Sequence, residues 1–153
     1  MPIFKFLHIA TMFMAVGVSV GADFVLHWIA SSGDVRAIRT SFNRSQILAK
    51  IVPSLYLLGA AFGLLAVYFD NLDFLRPWLI TTYLLFIIAN VLGARSGTWH
   101  EHMLKAAMTS SEDSSSAEFK ALVEDKSSVY QMWVFLAVIL AIIFVMVFKP
   151  GGI

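Results

Sequence analysis

Four apolar stretches, each long enough or nearly long enough to cross a lipid bilayer, constrain this sequence more than any other feature. A bilayer core about 30 Å thick needs about 20 helical residues, and the stretches cover residues 3–30, 47–69, 78–94 and 129–148. Hydrophobic residues make up 59% of the 153-residue chain and charged residues only 14%. A chain of this size cannot bury so much apolar surface in a core of its own. We therefore predict one all-α membrane domain over residues 1–153, an up-down bundle of four transmembrane helices.

Two of the connections between the spans carry the pattern of a short amphipathic helix. In the first connection Asp34 stands at a capping position ahead of a basic segment. In the third, Ser115 and Glu118 have capping-box spacing ahead of Phe119. The third connection also opens with a polar helical continuation at residues 98–108. We expect a short helix in each of these two loops, on the cytoplasmic side of the bundle.

The distribution of basic residues predicts the orientation of the chain. Eight lysines and arginines lie in the first and third connections, and three lie in the N-terminal, second and C-terminal segments. The positive-inside rule then places both termini outside the cytoplasm, in a bacterial inner membrane. The small residues at 19–22 resemble a signal-peptide cleavage site. Because only Lys5 precedes the apolar segment and His8 interrupts it, we expect a retained span.

Polar residues along one face of the first span are the main candidates for chemistry. At about 100° per residue, His8, Ser19, Asp23 and His27 form one stripe. Polar groups are costly in lipid, so this stripe should face the bundle interior. Asp23 and His27 can touch, as an interfacial ion pair or as part of an ion site, with Ser19 donating to the carboxylate. Asn90 in the third span is expected to be buried and to bond across helices.

The four histidines divide between the two ends of the bundle. His8 is a candidate axial haem ligand at the outer end, where Met146 is a candidate for the second position. His27, His100 and His102 are candidate metal ligands at the cytoplasmic end. His100 and His102 diverge by about 200° on a helix, so only one of them can face His27. A haem cannot span His8 and His27, which lie about 28 Å apart along the helix.

Two pairs of glycines permit close contact between helices. Gly17 and Gly21 lie four residues apart in the first span, as do Gly59 and Gly63 in the second. The spacing is typical of ordinary helix packing and also of association into a homo-oligomer or larger membrane complex. The lipid bilayer is the principal partner. A net charge of +1 indicates no nucleic acid.

Three short segments carry a resemblance to a known family. Residues 5–8 (KFLH), 33–39 (GDVRAIR) and 77–80 (PWLI) resemble a bacterial family of predicted four-helix integral membrane proteins of unknown function. That family is similar in plan to copper-resistance-D-like proteins and to HemJ-type protoporphyrinogen oxidases. In the latter a first-helix histidine is taken to ligate haem, so the resemblance implies His8 as ligand and haem b as cofactor. The chain departs from the HemJ pattern, because residues 78–94 contain no basic residue and the first span lacks an arginine near its inner end.

Three functions follow from these observations. The first is a small integral membrane protein without catalysis, acting as an accessory or complex subunit, because the sequence holds no recognised catalytic motif. The second is a haem-b-binding redox protein or oxidase of HemJ-like plan that uses His8. The third is metal or small-ion handling at Asp23 and His27. The sequence favours a protein that is not an enzyme and indicates no substrate.

Overall fold

The computed structural model of the protein describes residues 2–110 and 116–150, and its regular structure within those ranges is helical. The helices are α1 (Pro2–Ser31), α2 (Val35–Ser45), α3 (Leu48–Phe69), α4 (Pro77–Thr109), α5 (Ala117–Val123) and α6 (Lys126–Phe148). The four long helices, α1, α3, α4 and α6, carry segments apolar enough to cross a membrane. The predicted all-α fold with four spans is therefore confirmed.

Contacts near the chain termini establish the up-down order of the long helices. Lys5 at the start of α1 forms an ion pair with Asp70, directly after α3. The hydrogen bond that Lys5 donates in this pair lowers the pKa of the Asp70 carboxyl. Trp78 at the start of α4 packs with Val145 near the end of α6. The helices thus form two antiparallel pairs, α1 with α3 and α4 with α6. We call this end of the bundle the termini end.

The opposite end of the bundle is closed by a helical cap, which consists of α2, α5 and residues 95–109 of α4. Its buried face packs with the last turns of α1 into one apolar cluster. The buried members of the cluster are Leu26, Ala30, Val35, Ile38, Phe42, Met103, Leu104, Ala106, Ala107 and Phe119. The bulkiest side chains that are almost completely buried in the described chain belong to this cluster: Phe42, Ile38 and Met103. The loop helices predicted from the sequence therefore build a packed core together.

The helix α4 runs without a break from its span into the cap. The sequence placed the end of the third span at residue 94 and predicted a polar helical continuation at 98–108, and α4 joins the two in a single helix of 33 residues that ends at Thr109. Residues 95–109 add about 22 Å of helix beyond the predicted span. Arg39 of α2 closes the far end of α4, because its Nη2 donates to the carbonyls of Ala107 (2.9 Å) and Ser110 (2.8 Å).

The N-cap residues of the two short helices agree with the sequence prediction to different degrees. The Asp34 carboxylate accepts from the backbone N–H groups of Arg36 and Ala37, as predicted. The N-cap residue of α5 is Ser116, which accepts from the Phe119 N–H. The predicted N-cap residue, Ser115, lies outside the described residues, and that prediction was wrong by one residue. Ser115 and Ser116 are consecutive and carry the same hydroxyl, so the sequence alone does not distinguish the two positions.

The expectation for Asn90 was wrong. Its side chain is exposed, and its amide Nδ2 donates to the Phe86 carbonyl one turn back on the same helix at 2.7 Å. The neighbouring Ala89 is the residue that α4 buries at this level. A shift of one residue turns a side chain by about 100° around the helix, which is enough to move Asn90 away from the bundle.

The two glycine pairs differ in their surroundings. A Cβ on Gly59 would lie 3.0 Å from Met12, and a Cβ on Gly63 would lie 2.8 Å from the Nδ1 atom of His8. This pair therefore permits the close packing of α1 on α3. A Cβ on Gly17 or Gly21 would meet no other described atom within 4 Å. Contact of Gly17 and Gly21 with a second copy of the chain stays a prediction.

Candidate metal centre

The polar stripe of α1 faces the bundle, as its spacing predicted. His8 Nδ1 lies 2.7 Å from the Gly59 carbonyl of α3, and Ser19 Oγ lies 2.9 Å from the hydroxyl of Tyr56 on the same helix. Further along α1, Asp23 and His27 are both buried. Each polar residue of the stripe therefore has a place inside the protein, and the two ionisable residues nearest the cap are the most enclosed.

Asp23 and His27 meet a third ionisable residue, His100 of α4. The three side chains each offer one metal-ligating atom, and these atoms all lie within 4.8 Å of one another. Asp23 Oδ1 is 3.1 Å from His100 Nε2 and 3.7 Å from His27 Nδ1. Ligand atoms about 2.0 Å from a tetrahedral cation lie about 3.3 Å apart. We call Asp23, His27 and His100 the triad.

The cap brings the triad together and encloses it. Because α4 continues past the membrane span as an unbroken helix, it carries His100 back to the last turns of α1. The indole of Trp99 stacks on His27 with ring centres 4.3 Å apart and planes 7° from parallel. The ring of Phe42 on α2 meets His100 edge-on at 5.5 Å. Aromatic side chains thus shield both imidazoles, which strengthens any electrostatic interaction within the triad.

Hydrogen bonds orient the members of the triad. His27 Nδ1 lies 2.8 Å from the backbone carbonyl of Asp23, an arrangement in which Nδ1–H donates and Nε2 keeps a lone pair. Ser96 Oγ donates to Asp23 Oδ1 at 2.7 Å. Among the described residues, the Nε2 atom of His27 is buried without a hydrogen bond, whereas His100 Nε2 contacts the Asp23 carboxylate. Buried ring nitrogens rarely lack a partner, so His27 Nε2 is available to a bound ion.

These contacts correct two details of the sequence interpretation. The backbone carbonyl of Asp23, rather than its carboxylate, makes the hydrogen bond that orients His27. Ser19 was expected to donate to Asp23, but its hydroxyl bonds the Val16 carbonyl of its own helix and Tyr56 of α3. Ser96 takes that role from the opposite helix. Sequence spacing identifies neighbours on one helix, whereas Ser96 belongs to α4, which only the tertiary structure brings to Asp23.

Comparison with known proteins places this architecture in a family. Residues 2–150 match the family described as predicted integral membrane protein (DUF2269). The chain belongs to this family. No match was found among curated proteins or among solved structures. The family description agrees with the four apolar helices and assigns no activity to this DUF2269 protein.

The remaining sequence candidates of this DUF2269 protein lie apart from the triad. His102 is exposed, two residues beyond His100, so the prediction that only one of the two can face His27 is confirmed. His8 lies near the termini end against α3. Met146 is half-buried on α6 beside Val145, also near the termini end. The structure therefore brings together His27 and His100 of the four histidines, and no other pair.

Two residues around the triad were missed by the sequence analysis. Ser96 and Trp99 lie on the part of α4 that was assigned to the third connection, outside the predicted span. Ser96 and His100 are four residues apart, and that spacing places them on one face of a helix. The spacing would have indicated Ser96 if the third span had been extended through residue 100.

Proposed function

We propose that this protein binds a divalent transition-metal cation at Asp23, His27 and His100. The observation that carries the proposal is the convergence of one carboxylate and two imidazoles, from two different helices, within 4.8 Å. An ionisable residue inside a membrane helix costs free energy unless it has a partner or a task. Here three potential ligands occupy one enclosed place, which supports ion handling over an isolated surface ion pair.

The ligand chemistry favours Zn²⁺ and similar borderline cations. Imidazole suits Zn²⁺, Cu²⁺, Ni²⁺ and Fe²⁺, whereas Mg²⁺ and Ca²⁺ prefer oxygen ligands alone. Three protein ligands leave a fourth position of a tetrahedral ion for water. The hydrogen bond from Ser96 to Asp23 and the bond from His27 to a backbone carbonyl are contacts of the kind that orient metal ligands.

A cation at this place would join the two helix pairs of the bundle. Asp23 and His27 belong to α1, which packs mainly on α3, and His100 belongs to α4, which packs mainly on α6. A metal ion bound by both sides therefore couples the arrangement of one pair to that of the other. This role is compatible with a subunit of a larger membrane complex and needs no catalytic step.

The test is a titration of the purified protein in lipid nanodiscs with Co²⁺, whose visible absorption reports the number and type of ligands. We expect one bound Co²⁺ per chain with the intense bands typical of tetrahedral coordination. Asp23→Asn and His100→Ala should each weaken binding by at least about a hundredfold, since each removes a direct ligand. Asp23→Asn keeps an acceptor for Ser96, so loss of Co²⁺ reports the charge rather than the fold.

His102→Ala is the matched control, because His102 is an exposed histidine on the same helix as His100. It should bind Co²⁺ like the wild type. Equal loss in His102→Ala and His100→Ala, or no specific binding by the wild type, would overturn the proposal. A Soret band after expression with added haem, removed by His8→Ala and untouched by His100→Ala, would favour the haem protein of HemJ-like plan in its place.

A further inference from the structure

A small polar cavity lies directly beside the triad, on the side of α6. Its volume is about 90 Å³, and its walls include His27 of α1, Trp99 of α4, and Asp125, Ser128 and Gln131 at the start of α6. This volume has room for more than one water molecule, since about 10–15 Å³ on such a measure suffices for one. The α6 residues of the cavity lie outside the triad, whereas His27 belongs to both, and Ser96, which donates to Asp23, also lines the cavity.

The exposure of its walls shows where the cavity opens. Ser127 at its rim is exposed and Asp125 is half-buried, whereas Ser128 is buried. The side chain of His27 is only 8% exposed. The cavity therefore leads from the aqueous end of α6 inward to an imidazole of the triad. The Asp125 carboxylate, which caps α6 by accepting from the Ser127 N–H and hydroxyl, puts a negative charge at the mouth.

The residues that line the cavity are mostly polar. Asp125, Ser127, Ser128 and Gln131 carry a carboxylate, two hydroxyls and an amide, and Ser96 of α4 adds a third hydroxyl. Water can hydrogen-bond to all of these groups, and ordered water is the usual occupant of a small polar cavity. An apolar occupant would remove these groups from water.

We propose that this cavity is filled with water and is the passage by which a hydrated divalent cation reaches and leaves the triad. Asp125 attracts the cation at the mouth, the cavity keeps it solvated, and His27 replaces water as the ion meets Asp23 and His100. The identity of the ion rests on the function proposed above. The hydration of the cavity does not, because it follows from the wall chemistry alone.

Cysteine labelling tests the hydration, and the chain suits it because it contains no cysteine. Ser128→Cys places a near-isosteric thiol in the cavity wall, and Val134→Cys places one on an exposed apolar face of the same helix. Charged methanethiosulfonates react with thiolates, which form in water and not in hydrocarbon. In nanodiscs we expect Ser128→Cys to react at least about tenfold faster than Val134→Cys. Equal rates, or a slower reaction at Ser128→Cys, would overturn the proposal.

Gln131→Cys provides a second position in the wall if Ser128→Cys does not fold. The passage itself is tested by stopped-flow mixing with Co²⁺. After modification of the cavity thiol, binding should slow by at least about tenfold while the final Co²⁺ spectrum stays unchanged. Co²⁺ binding at the unmodified rate would show that the ion takes another path. If the wild type binds no Co²⁺, the proposed function fails, while the labelling rates still decide whether the cavity holds water.

Discussion

The two ends of this bundle are built in different ways. At the termini end, Val67, Trp78, Leu79 and Val145 form a small buried cluster, and the Lys5–Asp70 ion pair lies beside the chain ends. At the other end the helical cap contributes a larger apolar core that includes Phe42, Ile38 and Met103. Many large apolar side chains elsewhere in the spans are exposed, such as Phe13, which is 79% exposed.

The difference follows from the solvent at each place. Within a bilayer, lipid tails are as apolar as leucine, so helices gain little by burying apolar side chains against one another. Beyond the bilayer, apolar residues of α2, α5 and the end of α4 must be removed from water, which stabilises a packed core at about 25 cal/mol per Å². The triad lies next to this core, because Trp99 and Phe42 contact its imidazoles.

The largest effect on stability is expected from a substitution in the buried core of the helical cap. Phe42→Ala should lower the free energy of unfolding by about 3–5 kcal/mol, because it opens a cavity in a fully packed site. It should also weaken Co²⁺ binding, since Phe42 contacts His100. Phe13→Ala is the matched control and should leave stability almost unchanged, because Phe13 faces outward. Denaturant unfolding in detergent micelles measures both, and equal losses would contradict the contrast between cap and spans.

A smaller effect on the free energy of unfolding is expected from substitutions at the contact between α1 and α3. Gly63→Ala should cost about 1–3 kcal/mol, because its Cβ would meet the His8 ring, which is hydrogen-bonded to Gly59. Gly17→Ala should be neutral or slightly stabilising in a monomer, since its Cβ would meet no described atom within 4 Å. A marked loss in Gly17→Ala, together with a change in oligomeric state on a sizing column, would indicate that a second copy packs there.

The next largest effect is expected on Co²⁺ binding, from loss of the hydrogen bond that Ser96 donates to Asp23. Ser96→Ala should weaken Co²⁺ binding by about 10–100-fold, which is typical for loss of a partner that orients a metal ligand. Thr98→Ala is the control, because Thr98 is exposed on the same helix and bonds its own backbone. Unchanged affinity in Ser96→Ala would show that the carboxylate needs no support from α4.

The smallest effect on stability concerns Asp34, the N-cap residue of α2 that the sequence identified. Asp34→Ala should cost about 1 kcal/mol, the usual contribution of an N-cap carboxylate. Thr40→Ala on the exposed face of α2 should change stability much less. Thermal unfolding can compare the two. If Asp34→Ala lowers the free energy of unfolding as much as Phe42→Ala does, the stability of the helical cap depends on the start of α2 rather than on its buried core.

Local patterns predicted the parts of this protein that depend on neighbours in the chain. The four spans follow from runs of apolar residues, the cap of α2 follows from Asp34, and the inward stripe of α1 follows from helical spacing. The same spacing predicted that His100 or His102, and not both, could face His27. These inferences needed only the period of the helix and the cost of polar groups in lipid.

Contacts between distant segments were decided by the tertiary structure. The sequence indicated a polar helical continuation at residues 98–108, but it could not show that α4 would run unbroken from the span and pack into a cap, because that packing depends on distant segments. That continuation selects His100 over His102 and places Ser96 on Asp23. Asn90 turned outward for the same reason, since the rotation of α4 is set by the packing of Trp78, Ala89 and Met103 along its length. Helical period determines which residues share a face, but only the packing of whole helices determines what that face meets.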